Sequence, residues 1–322
     1  MTKWEPSATI ATLKQRAQIV AQVRAFFETR GVWEVDTPTL SAAGVSDVHL
    51  HTFATTFYGP GFAHGLPMHL QTSPEYPMKR LISAGSGAIY QICKVFRNEE
   101  ASRRHNPEFT MLEWYRPGFD AFALMKELDE LVIELLECKP AEYVSYQRAF
   151  SSILGVCPLD AELSVLRTIA CERGYREIAE HEQDRDTLLQ LLFCMEVEPN
   201  IGQERPCFVY DFPASQAALA RVNLDDPRVA SRFELYYQNL ELANGFHELT
   251  DAKEQRARFE QDNKTRQTLG LPTVDVDERF LAALSAGMPD CAGVAVGLDR
   301  VIMLALNKAS IQDVLSFDIS RA

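Results

Sequence analysis

Two arginines sit in settings suited to gripping phosphate. Arg97 lies in Phe96-Arg97-Asn98-Glu99, at the end of a β-rich run. Arg300 closes Gly293-Val294-Ala295-Val296-Gly297-Leu298-Asp299-Arg300, a glycine-bearing strand that runs into a helix. A guanidinium offers donors in a fixed fork that matches the oxygens of a phosphate or a carboxylate. Glutamates with possible roles are Glu75, Glu113, Glu234, Glu241 and Glu248. Carboxylate oxygens suit a magnesium ion, and a buried ammonium needs such acceptors too. Blander readings stand beside each of these. Arg97 could be a surface ion pair, Arg300 a salt bridge in a first helical turn, the glutamates solvated strand residues, and the glycines of 293–297 a place of close packing. No G-x-x-x-x-G-K-[ST] loop is present, so a nucleotide would have to be held by something else.

The elements that must position these residues follow from periodicity. Ser7 is a candidate cap for a helix with Ile10, Leu13, Ala17, Val20, Val23 and Phe27 at helical spacing, and Gly31 is placed to end it. Val32 to Thr37 alternates as a strand that Pro38 stops or confines to an edge. Residues 44–70 show no clear period and read as loop and short strand. Ala88 to Phe96 and Thr110 to Tyr115 read as strands, and Asp120 as the cap of a helix with Leu124, Leu128, Leu131 and Leu135 on one stripe. Cys207 to Phe212 and Phe233 to Leu242 read as strands, with Gln238-Asn239 as a hairpin turn. A polar helix spans about Asp251 to Leu269, and Gly293 to Leu306 is a strand passing into a helix. Residues 140–205 are helical and acidic, an insertion between two parts of one sheet. Helices and strands do not alternate as in a doubly wound parallel sheet. The expectation is α+β: one catalytic domain over 1–322, an antiparallel β-sheet flanked by helices.

Composition narrows the class. Apolar residues make up 46% and charged residues 24% of the 322 residues, an ordinary globular balance. No window nears the roughly 18 unbroken apolar residues of a membrane span, and Met1 to Ser7 lacks a signal-peptide order, so no membrane is expected and the chain is read as cytoplasmic. The seven cysteines are scattered without C-x-x-C, which argues for isolated thiols over a disulfide framework or structural zinc. The net charge of −13 lowers the expectation of a large nucleic-acid surface.

Three segments, taken in order, carry a resemblance: Arg30-Gly31-Val32-Trp33-Glu34-Val35-Asp36-Thr37-Pro38; Phe96 to Glu99 followed by Arg104-His105-Asn106-Pro107-Glu108-Phe109; and Gly293 to Arg300. They resemble motifs 1, 2 and 3 of class II aminoacyl-tRNA synthetases. Thr72-Ser73-Pro74-Glu75, the run Arg104 to Glu113, and Glu241-Leu242-Ala243-Asn244-Gly245-Phe246-His247-Glu248-Leu249 are most similar to the lysyl branch, over nearly the whole chain. That branch's N-terminal anticodon-binding barrel has no counterpart. A lysyl-type core without the barrel is similar to the bacterial elongation factor P–lysine ligases, in which ATP activates (R)-β-lysine and the acyl group passes to a lysine side chain of elongation factor P.

The resemblance implies roles. Arg97 would bridge the substrate carboxylate and the α-phosphate of ATP, and Arg300 would meet the γ-phosphate. Asn98 belongs to the same nucleotide segment. Glu99 would accept from the adenine amino group, Phe109 would stack on the base or pack in the core, and Asn106 would contact ATP from its loop. Gly297 and the backbone of Glu241-Leu242 would touch the nucleotide, and Glu234 and Glu241 would hold Mg2+. Ser73 and Pro74 flank Glu75, which would take the amino group near the carboxylate of lysine or β-lysine. Glu248, helped by Tyr115, would take the distal ammonium, while Glu113, Asn244 and Phe246 shape the pocket. A homodimer through motif 1 is implied, with elongation factor P as protein substrate and tRNA not expected. The rival readings are a truncated tRNA ligase, a non-catalytic regulatory paralogue, which should lose Arg97 and Arg300, and a free-standing asparagine synthetase, which the acidic pocket opposes. Two departures matter. Ala295 stands where motif 3 usually has glycine, and its methyl is expected to disfavour α-lysine relative to a β-amino acid. Glu100 stands where the lysyl branch often has glycine, which alters the course of the motif 2 loop.

Overall fold

A computed structural model describes residues 4–322. The chain gathers into two compact units. The first takes in the chain up to Asp120, Glu134–Glu137 and Thr250–Ala322, and the second Ala121–Ile133 and Cys138–Leu249.

In the first unit, helix α1 (Ile10–Glu28) buries Ile19, Val23, Phe26 and Phe27. Its cap is Thr9, whose hydroxyl accepts from Thr12 N at 3.1 Å. The expected cap, Ser7, is instead tied to the far end of the chain, where its Oγ accepts from Asp318 N at 3.0 Å. Gly31, at φ +66°, turns the chain out of the helix. Phe27 stacks on Tyr90 at 4.4 Å between centroids and meets Trp114 edge-on at 5.2 Å, which fixes α1 against the sheet. That sheet has the order β1 (Trp33–Glu34), β5 (Ile89–Phe96), β6 (Glu108–Pro117), β11 (Cys291–Gly297). The expected strand through Thr37 is only Trp33–Glu34, paired parallel to β5, while β5–β6 and β6–β11 are antiparallel. Residues 40–70 form a second, three-stranded sheet in the order β2 (Leu40–Ser41), β4 (Phe62–Leu70), β3 (Ala54–Gly59). Its strands are largely exposed, so no alternation marked them in the sequence. Helix α2 (Glu75–Ser83) packs on α9 (Glu278–Gly287), with Tyr76 and Phe280 stacked at 4.7 Å. Helix α8 (Ala252–Thr268) starts where expected, Asp251 Oδ1 accepting from Lys253 N and Glu254 N at 2.8 and 2.9 Å. Strand β11 passes directly into α10 (Leu298–Ala305).

In the second unit the sheet runs β10 (Leu240–His247), β9 (Val229–Tyr237), β8 (Cys207–Pro213), β7 (Glu142–Ser145), antiparallel except for β7–β8. Gln238 and Asn239 join β9 to β10 with φ +51° and +59°, the two-residue turn whose twist suits a hairpin. The 140–205 segment is largely helical. It supplies β7, then α4 (Tyr146–Leu154), α5 (Leu163–Glu172), α6 (Arg176–Ala179), α7 (Arg185–Leu192) and a π-helical turn at Phe193–Val197. Tyr146, Phe150, Leu166, Leu189 and Phe193 form one buried cluster with Val209, Phe212 and Tyr236 of the sheet. Helix α3 (Ala121–Leu136) follows Asp120 as expected. All seven cysteines are free thiols. Among the described residues no helix is long and apolar enough to cross a membrane.

Candidate active site

The first unit carries an acid cluster and an arginine loop. Gln91, Glu113 and Ala295 are direct partners across β5, β6 and β11, so all three point to one face, as do Tyr115 and its partner Gly293. Glu113 is buried (2% exposed). Its Oε1 accepts from Tyr115 OH at 2.6 Å and its Oε2 from Ser73 Oγ at 2.7 Å. Burial, then the charge of Glu75, pushes its carboxyl up to about 7. Ser73 Oγ also accepts from Glu75 N at 3.0 Å, which fixes the start of α2. Glu75 Oε1 accepts from Lys79 Nζ at 2.5 Å, one helical turn on, and Lys79 has no exposed side-chain surface. Pro74, also buried, is the residue from which α2 starts. The structure thus brings Ser73, Pro74, Glu75, Glu113, Tyr115 and Ala295 together. It adds Lys79, whose i, i+4 spacing from Glu75 was the available signal. Ala295 stands beside Glu113 in the ladder, so the methyl that departs from the motif lies on the cluster's own face.

Arg97 follows β5. Its N–H donates to Pro107 O at 2.9 Å, its guanidinium lies over the ring of Phe109 (Cζ 5.3 Å from the centroid), and its Nη1 is 3.9 Å from Glu100. Its Nε is buried without a hydrogen-bond partner. Asn98 and Glu99 are exposed, and Glu99 holds φ +69°, a left-handed conformation uncommon for glutamate. Asn106 is turned inward (6% exposed): its Nδ2 donates to Glu108 O at 2.6 Å and its Oδ1 accepts from Ile319 N at 3.0 Å. Arg300, on the first turn of α10 after Gly297, reaches His105 Nε2 at 2.6 Å. An arginine can only donate, so Nε2 accepts and the ring proton sits on Nδ1, 2.8 Å from Ser102 Oγ. Burial, then Arg300, lowers the His105 pKa and keeps it neutral. His105 belongs to the motif 2 run, but no residue type or spacing predicted this contact.

The second unit carries the remaining residues on one sheet face. Arg232, Glu234 and Tyr236 alternate along β9, opposite Phe246, Asn244 and Glu241 of β10. The register slips between Glu241 and Ala243, leaving Leu242 as the bulge residue. That slip puts Glu241 on the face of Asn244 and Phe246 although their numbers differ in parity. Glu234 is buried (6% exposed). Its Oε1 accepts from Arg232 Nη2 at 2.5 Å, and Tyr236 OH donates to Oε2. Arg232 lies over Phe212, Cζ 4.7 Å from the centroid, and donates to Gln216 O at 2.6 Å. Burial, then the charges of Glu234, Glu241 and Glu198, holds the Tyr236 phenol well above its usual range, so it remains a donor. Asn244 Oδ1 is buried without a hydrogen-bond partner. Gly245 lies against Phe233, where an added Cβ would come within 2.3 Å of the ring. Glu248, just past β10, is 1% exposed and bridges Ala220, with Arg221 Nε donating to its carbonyl at 3.1 Å. Among the described residues no group of three or more His, Cys, Asp and Glu side chains could hold a metal ion. A magnesium ion needs no such cage, because it keeps several waters and takes one or two carboxylates plus phosphate oxygens. The exposed Glu241 fits that loose mode, whereas Glu234, whose two oxygens accept from Arg232 and Tyr236, would have to release one of them to join it.

Comparison with known proteins places the chain. A family model, tRNA synthetases class II (D, K and N), matches residues 3–321. An elongation factor P–(R)-β-lysine ligase of Pseudoalteromonas translucida is 60% identical over 99% of this chain and 98% of its own length. Proteins of the same name from Edwardsiella ictaluri (58%, over 100% of this chain and 99% of its own) and Klebsiella pneumoniae (57%, over 99% and 98%) are similar throughout as well. The chain therefore belongs to the class II tRNA synthetase family (D, K and N).

Proposed function

We propose that this chain is an ATP-dependent ligase that activates (R)-β-lysine as an adenylate and transfers the acyl group to a lysine side chain of elongation factor P. The observation that carries this reading is the acid pair of buried Glu113, braced by the Ser73 and Tyr115 hydroxyls, and half-buried Glu75, because carboxyls withdrawn from water favour an ammonium ligand. The names of relatives 57–60% identical along their whole length agree with it.

In the first step the substrate carboxylate forms a bond to the α-phosphorus of ATP, and the bond to the β-phosphate oxygen breaks, releasing pyrophosphate. The nucleophile is already ionised, so no general base is needed, and catalysis rests on positioning and charge neutralisation. Arg97 bridges the carboxylate and the α-phosphate, and Arg300 meets the γ-phosphate. Glu99 takes the adenine amino group, Asn98 and Phe109 flank the nucleotide, Gly297 and the Glu241-Leu242 backbone touch it, and Asn106 holds the loop from beneath. Glu75 takes the amine nearer the carboxylate. Glu248 takes the distal one, and Asn244 and Phe246 shape its surroundings. Magnesium, held by Glu234 and Glu241, would supply charge neutralisation on the triphosphate. In the second step a neutral lysine amine attacks the acyl carbonyl, an amide forms and AMP leaves. The reading includes a homodimer through the motif 1 segment, where Trp33 is 53% exposed, the 140–205 segment as an insertion in one catalytic domain, and a cytoplasmic setting.

Pyrophosphate exchange tests the first step. (R)-β-lysine is expected to drive ATP–pyrophosphate exchange more strongly than lysine. No exchange with either would refute the reading.

A further inference from the structure

Lys79 is a cation enclosed in protein beside a carboxylate. Its Nζ lies 2.5 Å from Glu75 Oε1, and its side chain has 0% exposure. A buried ammonium persists as such only beside a carboxylate. Ser73 Oγ joins this pair to Glu113 by donating to Oε2 at 2.7 Å while accepting from Glu75 N at 3.0 Å. Two carboxyls, one of them half-buried, therefore share a cluster with one buried ammonium.

The groups that face Glu113 from the packed elements are few. Helix α2 presents Glu75 and Lys79. Strand β5 presents Gln91 directly opposite, and Cys93, whose thiol burial pushes up to about 12 and which stays neutral. Strand β11 presents Ala295, and Tyr115 of β6 donates its hydroxyl. Helix α10, also packed on β6, carries Asp299, which is held by Arg16 at 2.6 Å and by Thr110 N at 2.7 Å. Glu75 and Glu113 thus place two carboxyls within reach of the Lys79 ammonium.

We infer that Lys79 is the fixed counter-charge of this cluster, a positioning residue that holds the Glu75 carboxylate in place, and that an entering substrate amine displaces the proton of Glu113 to solvent. The inference rests on the assignment of Glu75 and Glu113 to amine binding. Burial and the Glu75 charge support it, since they push the Glu113 carboxyl up to about 7. Amino-acid binding is then linked to the release of one proton. Affinity falls as pH drops below that value, by about tenfold per unit where the linkage is complete.

The test is calorimetric titration of the whole chain with (R)-β-lysine and with lysine near pH ~6, where Glu113 is mostly protonated, in two buffers of different ionisation enthalpy. The expected result is a binding heat that differs between buffers by up to one proton. Glu113→Gln should bind with no buffer-dependent heat. Lys79→Met should move the pH profile of amino-acid KM upward, and Lys79→Arg should restore it. If Lys79→Met does not fold, the wild-type and Glu113→Gln heats decide alone. Equal heats in both buffers for the wild type, or an unmoved profile in folded Lys79→Met, overturn the inference while leaving the functional reading intact. Absence of binding heat with either amino acid overturns both.

Discussion

Arg300 donates from Nη2 to His105 Nε2 at 2.6 Å, so a helix that follows one motif is tied to the loop of another. The contact holds only while the imidazole is neutral, and burial beside Arg300 keeps it so. Replacing His105 with alanine removes the acceptor that fixes this guanidinium. The expected outcome is a rise of about tenfold in KM for ATP, in line with a lost hydrogen bond to a charged group, with the amino-acid KM little changed. Pyrophosphate exchange with ATP as the varied substrate measures it.

Arg97 is held by its backbone at Pro107 and by the Phe109 ring, with a loose ion pair to Glu100. Lysine at position 97 would keep the charge and lose the fork. Arg97→Lys is expected to lower the rate of adenylate formation by about 10²-fold or more, comparable with the loss of an oxyanion donor. Single-turnover formation of the adenylate reads this directly.

Asp299 is 1% exposed, paired with Arg16 at 2.6 Å and accepting from Thr110 N at 2.7 Å. It locks α1 and β6 to the first turn of α10, and with them the placement of Arg300. Removing the carboxylate leaves the Thr110 N–H without its acceptor and the half-buried Arg16 without its counter-charge. Asp299→Ala should cost about 3 kcal/mol of stability, read as a lower urea midpoint with far-ultraviolet dichroism as the probe.

The raised Glu113 carboxyl gives a pH dependence with a definite sign. Its folded value, about 7, lies above the ordinary 4.5 of a glutamate, so between those limits the folded chain holds a proton that the unfolded chain has lost. This group's contribution is therefore present below about 4.5 and is lost as pH rises through about 7. Glu113→Gln, which cannot ionise, should gain in melting temperature relative to the wild type as pH goes from about 5 to about 8. Parallel curves for the two proteins would argue against a buried, proton-holding Glu113.

Particular residues show what the sequence could reveal. The Gln238-Asn239 turn, the Asp251 cap and the strand–helix passage at Gly297 were legible because each depends on local chemistry. So was the helical character of 140–205. The cap at Thr9 was not, because Ser7 is drawn off by Asp318, 311 residues away. The three-stranded sheet was hidden because its strands are mostly exposed and lack alternation. In the site, Glu75, Glu113 and Tyr115 could be named from motif order. The face shared by Glu241 and Asn244 depends on a bulge at Leu242 that no residue type announces. Lys79, spaced one turn from Glu75, was visible as a spacing, but only burial distinguishes it from an ordinary surface pair.

The central claim is transfer to a protein lysine. Intact-mass spectrometry of elongation factor P incubated with this chain, ATP and (R)-β-lysine tests it most directly. The account predicts a mass increase of one lysyl group on a single lysine of elongation factor P, lost in Arg97→Lys. An unmodified elongation factor P, with the same mixture acylating tRNA instead, would contradict it.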